Sequence, residues 1–317
     1  MIRLLLAALL LIAPPVAADP AFWRHEFPLT DFTTSSVPFI EIISGGPGRD
    51  GIPALDAPEF IAVSEAALDP AEPVIALEID GAAPRAYPIR YLTWHEIVND
   101  MVGGVPVAVT FCPLCNSAIT FDRRVDGAVL SFGVTGKLRR SDMVMYDRET
   151  ESWWQQAVGE GIVGRHTGTR LGQLASWMEP FAAFRERNPR GRVMAEPDLP
   201  RDYGRNPYRG YDRSDWPFLY RGDAPPHGID PMARIVRVGT RAWPMARLAQ
   251  AGRITEAGVT LDWRSGMASP LDTGRIAEGR DIGHIRVRDG QGRDVPHDLM
   301  FAFAFHAFHP DGEWMLD

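Results

Sequence analysis

The sequence predicts an α+β fold, rich in antiparallel strands and assembled from two related halves. Three observations carry that expectation. Short β-branched and aromatic runs end in Gly-Gly or Asp-Gly turns, as at Val105–Phe111 after Gly103-Gly104 and around Asp126-Gly127. Capped apolar segments between them have helical spacing. Leu77–Leu92 is echoed at Val236–Leu248, both reading strand, turn, aromatic-Pro and helix start, and self-similarity marks duplicated supersecondary units.

Taken in order, Met1–Ala18 reads as a cleavable secretory signal. Arg3 supplies the positive end, Leu4–Ile12 is apolar, and Val16-Ala17-Ala18 offers a small-residue cleavage site. That run is too short for a membrane span of about 20 residues, so the mature chain is expected in the periplasm or secreted, with no stable membrane insertion. Residues 19–60 are Gly-, Pro- and Ser-rich and read as an extended arm. Residues 61–195 form the first half. Within it Val74–Ile79 is a strand. Tyr91–Val102 is expected as a helix capped by Thr93, with Glu96 completing a capping box. Val105–Phe111 runs as a strand into Cys112; Ala118–Arg123, Ala128–Val134 and Ser141–Tyr146 follow as strands, with a side-chain-bonded turn at Asp147–Thr150. Leu174–Asn188 is expected as the longest helix. Residues 196–231 lose all period and read as an irregular connecting segment. The second half, 232–317, ends in Leu299–Phe308, where Phe301, Phe303 and Phe305 alternate as in a core strand.

The 317-residue chain carries 33 basic and 41 acidic residues, net −8; without the signal and its Arg3 this becomes 32 − 41 = −9. That balance excludes the basic footprint of a nucleic-acid binder. Lys137 is the single lysine, and the arginines are spread along the chain. With 45% hydrophobic residues the chain can bury a core without disulfides.

Chemistry concentrates at Cys112-Pro113-Leu114-Cys115. Two closely spaced thiolates support thiol–disulfide exchange, or half of a tetrahedral or near-linear metal site, or a plain disulfide. The last is a weak staple, since a four-residue loop is worth only about 2 kcal/mol. No long helix follows Cys115, which argues against a thioredoxin-like fold. A zinc ribbon needs a second CxxC, and there is none. His95 is the nearest upstream histidine, a neighbour that tunes a thiol or ligates a metal. Asn99 stands where the second histidine of an HExxH motif belongs. Met143 and Met145 alternate on one strand, and Met145 completes a soft set with Cys112, Cys115 and His95 that suits Cu(I). Cys112 is expected to be the more exposed sulfur. Glu96 and Asp100, read on one helix face, are a candidate acid–base pair or a solvated surface. Trp153-Trp154-Gln155-Gln156 reads as a half-buried strand or pocket wall, and His306 and His309 beside Asp311 as loop polarity.

The segments SGGPGRDGIPALDAPEF (44–60), WHEIVND (94–100), GGVPVAVTFCPLCNSAITFDR (103–123), FGVTGKLRRSDMVMYDRETESWWQQ (132–156) and FAFAFHAFHP (301–310) resemble the domain-of-unknown-function family 3179, a group of mostly bacterial, often exported proteins. The resemblance implies a family but no activity. Two functions from different classes therefore stand. One is a periplasmic thiol protein using Cys112 and Cys115 for redox exchange or Cu(I). The other is a non-catalytic module that meets a periplasmic protein partner through the Tyr- and Arg-rich stretch 203–221, with the cysteines a structural disulfide. A Cys–His hydrolase or transferase built on Cys112 and His95 is a third arrangement that the residues permit.

Overall fold

Proline decides where this chain turns from strand to helix. A computed structural model describes residues 20–317; the expected signal 1–18 lies outside the described residues. Among the described residues there are four α-helices, each of seven residues: α1 (Ile89–His95), α2 (Phe181–Arg187), α3 (Met245–Ala251) and α4 (Ala302–Phe308). The first three start directly after Pro88, Pro180 and Pro244, whose φ near −60° and extended ψ end a strand and aim the next residue into a helix. Helices this short do not stand alone in water; each lies against the sheet that launches it.

The rest is mostly β. Five sheets of three to five strands take a five-bladed β-propeller arrangement, and 14% of the chain is helical. One sheet orders Ser176–Pro180, Pro73–Leu77, Arg85–Pro88, Arg192–Met194 and Phe60–Ala62. The next orders Gln173–Leu174, Ser117–Asp122, Val105–Cys112, Ile97–Val102 and Leu55–Asp56. A third runs Ile42–Ser44, Phe132–Arg139, Asp142–Asp147, Trp153–Gln155 and Glu160–Val163. Asp298–Phe301, Arg234–Val238, Arg241–Pro244 and Glu313–Trp314 make a fourth, and Arg253–Glu256, Val259–Arg264 and His284–Asp289 a fifth. One continuous core joins them and includes both cysteines.

This corrects the expected α+β fold with two related halves. The echo between Leu77–Leu92 and Val236–Leu248 is a local unit, a strand pair delivering a short helix, and not the mark of a half. The strand-to-helix step recurs at Ser176–Arg187 and at Asp298–Phe308, so the echo is a recurring corner of a β architecture.

Three elements also differ. The expected helix Tyr91–Val102 is split. α1 closes at Glu96, whose φ of 58° ends it, and the β-branched Ile97–Val102 continues as a strand. Thr93 is no cap; its hydroxyl donates to the Arg90 carbonyl at 2.9 Å inside the helix. Glu96 and Asp100 therefore share no helix face, and Asp100 instead accepts from Tyr87 (2.6 Å) and pairs with Arg85. The expected long helix 174–188 shortens to α2 because Pro180 ends a strand at its centre. The Phe301, Phe303 and Phe305 alternation belongs half to a strand and half to α4; Phe301 and Phe305 are also i, i+4, so the two periods coincide over so short a run.

Candidate metal centre

The strand Val105–Cys112 pairs with Ser117–Asp122 so that Cys112 faces Ser117, and Pro113–Asn116 closes the hairpin. Asn116 takes a left-handed φ of 52°, and its N–H donates back to the Pro113 carbonyl at 3.2 Å. This tight loop puts both sulfurs on one side. From the far end of the chain, the Phe301 N–H fixes the loop by donating to the Cys115 carbonyl at 2.8 Å.

A second hairpin brings the third donor. Phe132–Arg139 and Asp142–Asp147 turn at Arg140-Ser141, both with positive φ (51° and 62°), the backbone twist that a two-residue hairpin demands. That turn sets Asp142 beside the thiols and lets Cys115 Sγ donate to the Ser141 carbonyl at 3.4 Å. The sulfurs of Cys112 and Cys115 and a carboxylate oxygen of Asp142 all lie within 4.8 Å of one another. Among the described residues this is the one group of three or more His, Cys, Asp or Glu donors so close together.

The site is dry. Cys112 is 1% exposed and Cys115 0%, both as free thiols, so neither sulfur faces solvent: the irregular segment 196–231 lies over the hairpin. Tyr211 donates to the Leu114 carbonyl at 3.0 Å, and Ser141 Oγ donates to the Phe218 carbonyl. Burial pushes the Cys112 thiol up and the Cys115 thiol well up. Asp142 acts in the same direction on both and Glu96 on Cys112, while hydrogen bonds from Cys115 partly offset the rise at Cys112. Asp142 is raised to about 6 by burial, opposed by hydrogen bonds from the Ala157 N–H (3.0 Å) and Gln155 Nε2 (2.6 Å) and by the Cys115 and Cys112 thiols. Both N–H bonds reach Oδ2; Oδ1 meets no N–H or O–H donor, and neither atom of the buried Asn116 amide has a partner. Orphaned polar atoms of this kind are rare in a folded interior and call for an explanation.

Strain gathers here too. Glu96, Asn116, Arg140, Ser141 and Leu219 are non-glycine residues in the left-handed region, and all border the two hairpins or their cover. Such conformations persist where surrounding structure over-determines them, most often at functional sites.

The structure does not bring His95 to the sulfurs as a third donor. Its Nδ1–H donates to the Pro53 carbonyl at 2.7 Å, and Nε2 accepts from the Tyr203 hydroxyl at 2.7 Å. With both nitrogens committed and burial lowering its pKa, the ring is a neutral strut between α1 and the covering segment. Met145 is fully buried three residues beyond Asp142, its backbone opposite Val134 and Trp154. Trp153 and Trp154 are fully buried, beyond the expected half-burial. Gln155 holds Asp142, and Gln156 bonds Thr110 and Ser117 beneath the hairpin. His306 and His309 join no donor group. Asp142 was not legible as a donor: it lies 27 residues from Cys115 in the sequence. The one local hint is a charged residue opening a fully buried strand.

No helix among the described residues is long and apolar enough to cross a membrane. No curated protein and no solved structure matches the chain. One family model covers residues 49–312, most of the sequence and every residue of the cluster, and by that match the chain belongs to the family described as "Protein of unknown function (DUF3179)".

Proposed function

We propose that this is an exported thiolate metal-binding protein whose centre is Cys112, Cys115 and Asp142. The observation that carries the reading is the buried cluster of two thiols and a carboxyl whose Oδ1 meets no N–H or O–H donor. Burial and the neighbouring acids Asp142 and Glu96 oppose ionising the thiols, and only hydrogen bonds from Cys115 favour the Cys112 thiolate; a metal ion is the partner that makes three buried acids compatible. Two sulfurs and one oxygen are a borderline donor set. Zn²⁺ accepts it, whereas Cu(I) uses the sulfurs and leaves the carboxylate idle. Gln155 and the Ala157 N–H, by fixing Asp142, are the outer support that orients a ligand.

The burial that favours an ion weighs against thiol exchange, because a reactive cysteine needs exposure and a depressed pKa. One observation supports exchange nonetheless. A carboxyl titrating at about 6 beside Cys115 is placed to take a thiol proton near neutrality.

Native mass spectrometry of the protein purified without chelator, with added Zn²⁺ or Cu(I), separates the readings. One zinc per chain, lost in Cys112→Ser/Cys115→Ser and weakened roughly ten- to a hundred-fold in Asp142→Asn, is the expected result. A disulfide that reforms after reduction while neither metal binds would reject the metal centre in favour of exchange.

A further inference from the structure

Beside the cluster lies a chamber of about 140 Å³ that opens between the arm and the covering segment. Gly45, Pro47, the exposed Phe218, the partly buried Leu114 and Tyr208 and the buried Glu96 line it. Leu114 is the residue between the two cysteines, so the chamber reaches the CxxC loop itself.

Its walls are otherwise apolar, with Ile52, Val134, Leu138 and Met143 among them. The polar groups are few. Glu96 is fixed at the end of α1, and its one hydrogen bond, from the Tyr208 hydroxyl, is long at 3.4 Å. Lys137 also borders the space, but its ammonium is committed to Glu26 at 2.6 Å. No cation in the chamber is therefore free to receive an anion, and Asp142 and the thiols nearby add only acidic groups.

A cavity of about 150 Å³ with apolar walls takes a benzene-sized molecule. A hydroxyl group both donates and accepts, so it completes the hydrogen bonding of Glu96 whether that carboxyl carries its proton or not.

We infer that this chamber is a binding site for a small neutral alcohol of about benzene's size, its hydroxyl on Glu96 and its hydrocarbon body against Leu114 and Met143. The site adds a ligand to the proposed metal centre and rests on that reading only for what the ligand faces, since the chamber's walls are built by residues outside the cluster.

The test is a ligand-observed NMR titration of the mature chain with cyclopentanol, and with butyrate as an anionic probe of similar size. Metal content is measured on the same samples. Cyclopentanol is expected to bind and butyrate to bind at least about ten-fold more weakly. Ile52→Trp, which fills the chamber, and Glu96→Leu, which removes the carboxyl, each weaken cyclopentanol by about ten-fold or more, while Glu96→Gln retains it. Zinc uptake stays the same in Ile52→Trp. No cyclopentanol binding by a zinc-loaded chain, or equal binding by Ile52→Trp and Glu96→Leu, overturns the inference and leaves the metal reading standing. Cyclopentanol binding by a chain that takes up no metal overturns the metal reading alone.

Discussion

Replacing Glu96 by Gln should stabilise the metal-free protein at neutral pH, and the size of the effect follows from its surroundings. Glu96 is buried at the end of α1, and burial raises its pKa from 4.5 to about 8. Between those two values the folded chain binds a proton that the unfolded chain releases. The sign follows directly: this contribution is fully present below about pH 4.5 and is lost as pH rises through about 8. At pH 7 the difference of about 2.5 pH units from the unfolded value corresponds to about 3 kcal/mol of lost stability. Glutamine keeps the shape and an acceptor for Tyr208 without the ionisation. Its stability advantage should therefore grow from near zero at low pH to about 3 kcal/mol at neutrality, roughly 5 °C in melting temperature for a chain of this size. Urea unfolding of both proteins, reduced and metal-free, across that range gives the difference curve. A difference curve flat with pH would show that Glu96 does not hold its proton through neutrality and would refute the reasoning.

Metal affinity should rise with pH, because both thiols must lose protons to bind. Below about pH 6 the protonated Asp142 adds a third proton, and Asp142→Asn should abolish that steepening in a chelator-competition titration. Loosening the cover by Tyr211→Phe or Ser141→Ala should speed labelling of Cys112 and Cys115 by a thiol reagent several-fold; unchanged rates would mean that the sulfurs are reached by another route. Asp100→Ala leaves Arg85 and Tyr87 without their shared acceptor and should cost about 3 kcal/mol in chemical denaturation. Trp153→Ala empties a fully buried site among Phe27, Phe32 and Trp23, and a loss of about 3 to 5 kcal/mol is expected by the same measurement.

The parts of this fold that were legible are those where local chemistry and tertiary environment agree. Val105–Cys112 is rich in β-branched residues and buried beyond Val105, and Asp126-Gly127 carries the two positive φ values that its turn chemistry announces. The Asp147–Thr150 turn, with Thr150 N–H donating to Asp147 Oδ1 at 2.6 Å, is equally local. What was misread depends on single residues that override a period. Pro180 and Glu96 divide segments whose apolar spacing suits a longer helix, because ring geometry in one case and a left-handed backbone in the other stop propagation. The cysteine pair was visible as chemistry, but its third donor was not. Asp142 reaches the sulfurs through a hairpin turn whose residues, Arg140 and Ser141, carry none of the glycine or asparagine that normally signals such a turn. His95 shows the converse: a residue type suited to ligation, committed by tertiary hydrogen bonds to the Pro53 carbonyl and from the Tyr203 hydroxyl to a purely mechanical role.

The single lysine has a use beyond the ion pair it makes. Lys137 is buried at 5% exposure, and its ammonium is held by Glu26 of the arm, while the other basic side chains are arginines and histidines. Side-chain amine chemistry on the folded chain therefore has one target, and that target is shielded. An acylating reagent would mark Lys137 only when the arm lifts from the sheet, so the protein carries its own single-site clock for that opening, read as one added mass on one tryptic peptide.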